Sequence, residues 1–469
     1  MPINLAIALA FMLVVSGCAK FGPVQTPPQD IPAAWKDVPA QGQVLSGERW
    51  WIVYNDPALD RLIDEGLAGN RDLAIAAARV EEARAMLRIT NSQRMPAVDA
   101  TAQRDRTRSS ARSSMPLPPG TPLVANNYRA TVNISYELDL WGRLGSASRA
   151  ARAEMLATEA AQHTVRIALV SLIVQSYYSL LALDRQVAVT QQTLDLRAAN
   201  LALQGKRYEA GLIANFNLRQ LEAEVAAARA QLPALQQRRT AEEVALAILL
   251  GRAPKAIIEE PVALAADTPL PLTIVPEGLP SELLLRRPDI VDAEQRLAAA
   301  NARIDIARAS MFPRISLTGF LGGESGSLGD LFSAPARVWQ LAFGLAQPIF
   351  QGGRLQAEVD AGRAREQQAI AQYQKTVQTA FGEVREALSA QTRSQEAYFA
   401  ESERVAALTD ALRLARIRFD NGLSSQLEVI DAQRNLLQAE LNRSDALRSQ
   451  RSAVADLARA LGGGWNAAR

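Results

Sequence analysis

Tyr128–Leu140 reads YRATVNISYELDL. Val132, Ile134, Tyr136, Leu138 and Leu140 fall on one face of an extended chain, with Thr131, Asn133, Ser135, Glu137 and Asp139 on the other, which is the period of a strand and not of a helix. The pattern returns late in the chain, where Trp339, Leu341, Phe343 and Leu345 alternate with Gln340, Ala342, Gly344 and Ala346, and Ile315 and Leu317 with Ser316 and Thr318. A further strand, from about Ala97 to Thr107, is less regular. One such strand also suits a half-buried position in a soluble sandwich. Ten-odd residues with one apolar and one polar face, and an aromatic near one end, equally match a transmembrane barrel. The flanking sequence decides.

Gly145–Gln204 has no proline and no glycine after its first residue, giving a rod of about 90 Å if helical. Arg354–Asn421 gives about 100 Å, with Gly362 and Gly382 as its weak points. Ile370, Tyr373, Val377, Phe381, Val384 and Leu388 form a coiled-coil seam, continued less strictly by Val405, Leu408, Leu412 and Phe419. Helices this long with one main seam must lie against partner helices. Gly211 and Gly422 end the runs, and the chain returns as helices over Phe216–Leu250 and Gln426–Leu461.

The plan is written twice. DLAIAAARVEEARAMLRITNSQRMP (Asp72–Pro96) lines up with DIVDAEQRLAAANARIDIARASMFP (Asp289–Pro313). Downstream, Gly142-Arg143-Leu144 pairs with Gly353-Arg354-Leu355, and RYEAGL at Arg207 pairs with RFDNGL at Arg418. The first copy carries an extra MPLPPGTP loop between its strands, where insertions are tolerated.

These readings divide the chain into a signal peptide (1–17), an acylated extended segment (18–55), a first repeat (56–253), a linker (254–280), a second repeat (281–464) and a tail (465–469). The first repeat holds two strands within about 97–140, a long helix at 145–204 and a return helix at 216–250. The second holds strands within about 314–350, a long helix at 354–421 and a return helix at 426–461. The fold class is an α+β membrane protein, mostly helical, built from a duplicated strand hairpin joined to a long helical hairpin. Four strands cannot close a membrane barrel, which needs about eight, and an open edge is forbidden in lipid. The chain must therefore oligomerise, and three copies in cyclic symmetry would supply twelve strands.

Composition narrows the function. Lys and Arg number 51 against 49 for Asp and Glu, so nothing in the balance calls for nucleic acid. The single histidine, His163, lies within a long helix, which removes histidine-based metal clusters and nucleophile pairs, and no glycine-rich phosphate loop follows a strand. Glu81-Glu82 and Glu242-Glu243 sit on helices among basic residues as solvated faces. An enzyme is not expected. The apolar run MPINLAIALAFMLVVSG reads as a secretory signal, and Val15-Ser16-Gly17-Cys18 resembles a bacterial lipobox. Cys18, the only cysteine, is then the anchor, and no cofactor is expected beyond a covalent acyl lipid on it. Ala19, following the cysteine, implies by resemblance to such lipoproteins the outer membrane.

Four stretches carry a family resemblance: WWIVYNDPALDRLIDEGLAGNRDLAIAAARVEEARA (Trp50–Ala85), LPSELLLRRPDIVDAEQRLAAANARIDIARASMFPRISLT (Leu279–Thr318), QPIFQGGRL (Gln347–Leu355) and LEVIDAQRNLLQAEL (Leu427–Leu441). In order and spacing they resemble the lipoprotein branch of TolC-type outer-membrane factors, the OprM/NodT-like efflux proteins. The resemblance implies a homotrimer with a 12-stranded β-barrel continuous with a 12-helix α-barrel, anchored in the outer membrane lipid and extending into the periplasm. It also implies a periplasmic adaptor (membrane fusion protein) and an inner-membrane transporter of RND type as partners, in an efflux or secretion system. An adaptor lipoprotein, the rival class, would carry one helical hairpin between compact β-rich halves instead of a duplicated plan.

By the same resemblance Arg207, Gly211, Leu212, Gly422, Leu423 and Ser424, with Arg418, meet the adaptor; both glycines can also simply terminate helices. Leu427 and Asp431 match positions that form constricting rings, with Arg418 and Phe419 in the adjoining contacts. They are four apart and share one helix face. Without the family match, Asp431 would read as part of a solvated face.

Overall fold

A computed structural model of the chain describes residues 49–112, 114, 118, 120–264 and 282–463, together with 27–28, 30–35, 43–44, 47 and 274–275. Cys18, the signal peptide and the tail lie outside the described residues.

The elements in chain order are β1 (Gln43–Val44), α1 (Pro57–Gly69), α2 (Arg71–Ser92), β2 (Ala97–Arg108), β3 (Val124–Leu138), α3 (Arg143–Glu209), α4 (Asn215–Leu249), α5 (Pro254–Glu259), β4 (Ile274–Val275), α6 (Leu283–Arg286), α7 (Pro288–Ala309), β5 (Arg314–Ser325), β6 (Arg337–Ala346), α8 (Arg354–Asp420) and α9 (Gln426–Ala460). Short 3-10 turns occupy Trp50–Tyr54, Leu328–Asp330 and Ala334–Ala336. The repeat is metrically faithful: α3 and α8 each have 67 residues, α4 and α9 each have 35, and α2 and α7 each have 22.

Several boundaries depart from the sequence expectation. α3 begins at Arg143 and not at 145, because Asp139 caps its start through Leu144 N (3.0 Å) and Gly145 N (2.7 Å), and it runs to Glu209 and not 204, up to the closure at Gly211. β3 starts at Val124, earlier than expected. α8 stops at Asp420, α4 spans Asn215–Leu249 and α9 ends at Ala460, each one residue from the expected limit. The stretch 254–280, expected to be featureless, contains α5 and β4, the latter pairing in parallel with β1. Both are too short to show a period. The helix opening each repeat is broken in two, at Asn70 between α1 and α2, and at Arg287 between α6 and α7.

Among the described residues the chain divides into two compact units, one drawn from residues 80–158 and 293–373, the other from residues 28–79, 159–292 and 374–463. The first contains an antiparallel four-stranded sheet in the order β2-β3-β5-β6. Register puts Val98 opposite Ile134, Ile134 opposite Gly319 and Gly319 opposite Leu341, so one set of faces is continuous across all four strands. At the junction with α3, Arg143 grips the Glu137 carboxylate with two nitrogens. The Trp141 ring stacks on Phe312 at 5.0 Å. The helices of this unit are tied by Arg149–Asp305 (3.1 Å), Arg303–Glu154 (2.9 Å) and Asn301–Glu366 (3.0 Å).

The second unit is helical. Its core gathers Trp50, Trp51, Tyr54, Leu59, Ile63, Ile173, Tyr177, Leu246, Leu388 and Val454, all buried. The most apolar part of α3 is long and hydrophobic enough to cross a membrane by composition, but 67% of that window is buried here, so it serves as a core helix. Asp56 caps α1 through Ala58 N and Leu59 N and accepts the Tyr177 hydroxyl at 2.6 Å. Of the expected seam on α8, Val377, Val384, Leu388 and Val405 are buried in this unit and Tyr373 in the first; Phe381 is only half-buried and faces the Trp35 ring at 5.6 Å.

Each repeat closes with the same joint. Asn70 Nδ2 donates to Leu249 O at 2.8 Å, and Arg287 Nη1, its counterpart, donates to Ala460 O at 3.0 Å. A left-handed glycine follows each helix end, Gly251 (φ 74°) and Gly462 (φ 90°). A Cβ on Gly251 would stand 2.0 Å from Gly69 O, and one on Gly462 would stand 2.3 Å from Arg286 O. Only glycine permits that approach. The second joint carries charge as well, since buried Arg287 pairs with Asp289 (2.7 Å) and Glu383 (2.8 Å).

Candidate functional site

The sheet has two faces of opposite chemistry. Val132, Ile134 and Leu138 of β3, Ile315, Leu317 and Leu321 of β5, and Trp339, Leu341, Phe343 and Leu345 of β6 share one face by register, with Val98, Ala100 and Ala102 of β2. This explains why the first strand looked irregular: its apolar face is made of small residues. Trp339, Leu341 and Phe343 are 73%, 76% and 64% exposed in the single chain, so the band is bare.

The opposite face is polar and internally bonded. Thr101 and Thr131 hydroxyls lie 3.1 Å apart, and Asn133 Nδ2 donates to Thr101 at 3.1 Å. Asn127 Nδ2 donates to Glu324 at 2.8 Å, while the Arg129 guanidinium sits 4.6 Å from the Phe320 ring centre. Among the described residues β2 and β6 each pair on one side only, which leaves two free edges.

The two helical turns are near copies. Gly211 (φ 72°) closes on Tyr208 O at 2.8 Å, and Leu212 N donates to Arg207 O at 2.8 Å. Gly422 (φ 73°) closes on Phe419 O at 2.9 Å, and Leu423 N donates to Arg418 O at 2.8 Å. This glycine closure satisfies the last helical carbonyls and turns the chain out. Leu212 and Leu423, at 73% and 71% exposure, project with no apolar cover in the chain. Ser424 Oγ is buried without a hydrogen-bond partner.

The structure brings Arg207, Phe419 and Leu427 together around one groove of about 380 Å³, which Phe216, Ile213 and Ser425 also line. Phe216 was not singled out from sequence, although it is the repeat counterpart of Leu427; Tyr208, likewise, is the counterpart of Phe419. Asp431 does not join that groove: it pairs with Arg434 at 2.7 Å. Arg418 lies 3.6 Å from Glu428 across the second turn. Arg197, buried beside these helices, pairs with Glu224 at 2.9 Å. Burial lowers its pKa below the usual arginine value, Glu224 opposes that shift, and Arg434 reinforces it.

The family described as outer membrane efflux protein matches residues 62–252 and 279–463, one segment on each repeat. The probable efflux pump outer membrane protein TtgC of Pseudomonas putida is 37% identical over 460 residues, covering 96% of this chain and 94% of that one. The outer membrane protein OprJ of Pseudomonas aeruginosa is 36% identical over 467 residues, covering 98% and 96%. Among solved structures, the CmeC outer membrane channel of Campylobacter jejuni matches with a TM-score of 0.89 at 25% identity, over 95% of this chain and 96% of that one. The open state of the MtrE outer membrane channel of Neisseria gonorrhoeae matches with a TM-score of 0.82 at 30% identity, over 94% and 98%.

Proposed function

Because the chain belongs to the outer membrane efflux protein family, we propose that three copies close their sheets edge to edge into a 12-stranded barrel continuous with a 12-helix tube. It is an outer-membrane exit channel of an efflux system and not an enzyme. The observation that carries the trimer is the sheet itself: an exposed apolar face, a bonded polar face and two free edges in one chain. In lipid each unpaired edge amide would cost several kcal/mol, and neighbouring copies remove that cost by completing the ladder.

The tube guides cargo delivered by an inner-membrane transporter, RND type, through a periplasmic adaptor. Docking falls to the turns that present Arg207, Gly211, Leu212, Gly422, Leu423 and Ser424, because their bare leucines offer an adaptor apolar knobs. The gate is built from Leu427 and Asp431, with Arg418 and Phe419 beside them. Three carboxylates near one axis repel, so the Asp431–Arg434 pair supplies the countercharge that holds them closed. Acylated Cys18 anchors the trimer in the membrane.

Detergent extraction, native mass and bilayer recording test this together. The expected result is a trimer with discrete conductance and acyl mass on an N-terminal Cys18. A folded single subunit without conductance overturns the channel, and an unmodified terminus overturns the anchor alone.

A further inference from the structure

The charged residues of the sheet are sorted by face. Register places every strand carboxylate, Asp99, Asp105, Glu137 and Glu324, on the polar face, along with Arg129 and Arg314. Arg104, Arg106, Arg108 and Arg337 stand instead on the apolar face. They are confined to one end of it. Beyond the row of Val132, Leu321 and Trp339, the next row holds Arg337, and the rows after that hold Arg104, Arg106 and Arg108 in turn. Successive same-face rows are about 7 Å apart along a strand, and the apolar rows from Leu345 to Trp339 span about 20 Å.

This end carries the two hairpin connections of the sheet, whereas the helices join it at the other. Arg104 lies over the Tyr128 ring at 5.5 Å. Arg106, Arg108 and Arg337 are exposed and hold no ion pair among the described residues. Four guanidinium groups on one face, with no strand carboxylate among them, favour an anionic partner from outside the chain. Closing β2 of one copy against β6 of the next would bring Arg337 into the same belt.

We propose that these arginines form a binding site for the phosphorylated saccharide headgroups of glycolipid in the outer leaflet. The inference rests on the barrel reading above. A charge at the middle of the lipid face is penalised, but one just beyond the apolar band reaches the headgroup layer along its own aliphatic stem. The planar guanidinium fork matches phosphate oxygens, and the Tyr128 ring holds one such fork in place. Glycolipid bound here would fasten the rim of the channel to the surrounding leaflet.

The test uses full-length protein in neutral detergent, titrated with diphosphorylated lipid A, with lipid A stripped of phosphate and with inorganic phosphate alone. The expected order is tight binding of the phosphorylated lipid and at least tenfold weaker binding of the other two. Arg104→Gln, Arg106→Gln and Arg108→Gln should each weaken it roughly fivefold, as should Arg337→Gln, while Arg314→Gln on the opposite face leaves it unchanged. Equal affinity for the stripped lipid, or unaltered binding when the three β2 arginines are replaced together, overturns the proposal. Binding of inorganic phosphate as tight as that of the lipid also overturns it, in favour of a plain anion site. Trimer mass and conductance are recorded on the same samples: if they are normal while phosphate makes no difference, only this inference falls. If wild-type protein is a non-conducting monomer, the channel falls with it.

Discussion

Trp141 Nε1 donates a 2.7 Å hydrogen bond to Pro313 O, so the strand-to-helix corner of the first repeat is pinned to the helix-to-strand corner of the second. The ring does two jobs, since it also stacks on Phe312. Trp141→Phe should keep the stack and lose the bond, lowering stability by about 1 kcal/mol, while Trp141→Ala should cost about 3–5 kcal/mol. Thermal unfolding of both variants in detergent checks the split.

Asp56 satisfies two helix-end amides and the Tyr177 hydroxyl with one carboxylate. Asp56→Ala should therefore destabilise the helical unit by about 2–3 kcal/mol, and Tyr177→Phe by about 1 kcal/mol. A double-mutant cycle on denaturant midpoints should show coupling between them.

The left-handed glycines separate into two kinds. Gly211 and Gly422 have open space where a side chain would stand, so alanine there should cost about 1 kcal/mol from backbone strain alone. Gly251→Ala and Gly462→Ala add a collision with a backbone carbonyl and should exceed that severalfold. Expression level and melting temperature of the four variants will rank them.

Asp456 has its pKa raised, chiefly by burial, against the opposing pull of Arg459 and the Gln175 hydrogen bond. A raised carboxylate pKa means the folded state holds the proton more firmly than the unfolded one. Its contribution is full below the unfolded value of 3.8 and is lost as pH rises through the folded pKa. Asp456→Asn should thus be at least as stable as wild type at pH 7, and the difference should shrink on acidification. Melting curves from pH 7 to pH 4 decide it.

Removing the Leu427 side chain and the Asp431 charge should widen the channel. Leu427→Ala with Asp431→Ala is expected to raise single-channel conductance severalfold over wild type, and unchanged conductance would sink the gate assignment. Phe216→Ala, at the repeat counterpart of Leu427 and in the same groove, should act in the same direction.

Most of the architecture was legible because long-range order is written as local periodicity. β3 and β6 alternate cleanly, and α3 and α8 announce themselves by lacking breakers. β2 was harder: alanine and arginine alternate with polar residues there, and its apolar side emerges only when register aligns Val98 with Ile134. The break at Asn70 leaves no trace in hydrophobic spacing: Asn70 caps α2 by accepting from Leu73 N at 3.0 Å, and Gly69 packs closely on Leu250 O. At the turns, the glycines and leucines were readable from the repeated RYEAGL and RFDNGL, but Phe216 required carrying Leu427 back across the repeat. Leu427 lines that groove while Asp431, four residues on, pairs with Arg434 outside it, a distinction that helical spacing does not carry.

The two closing joints have diverged since the ancestral tandem copy. Asn70 is neutral, whereas buried Arg287 is held by the carboxylates of Asp289 and Glu383; Asp289 has a counterpart in Asp72, but that of Glu383 in the first copy is exposed Leu172. An arginine copied into the first joint would therefore find one of its two carboxylates there and lack the other, so the two joints, alike in backbone, are not interchangeable in charge.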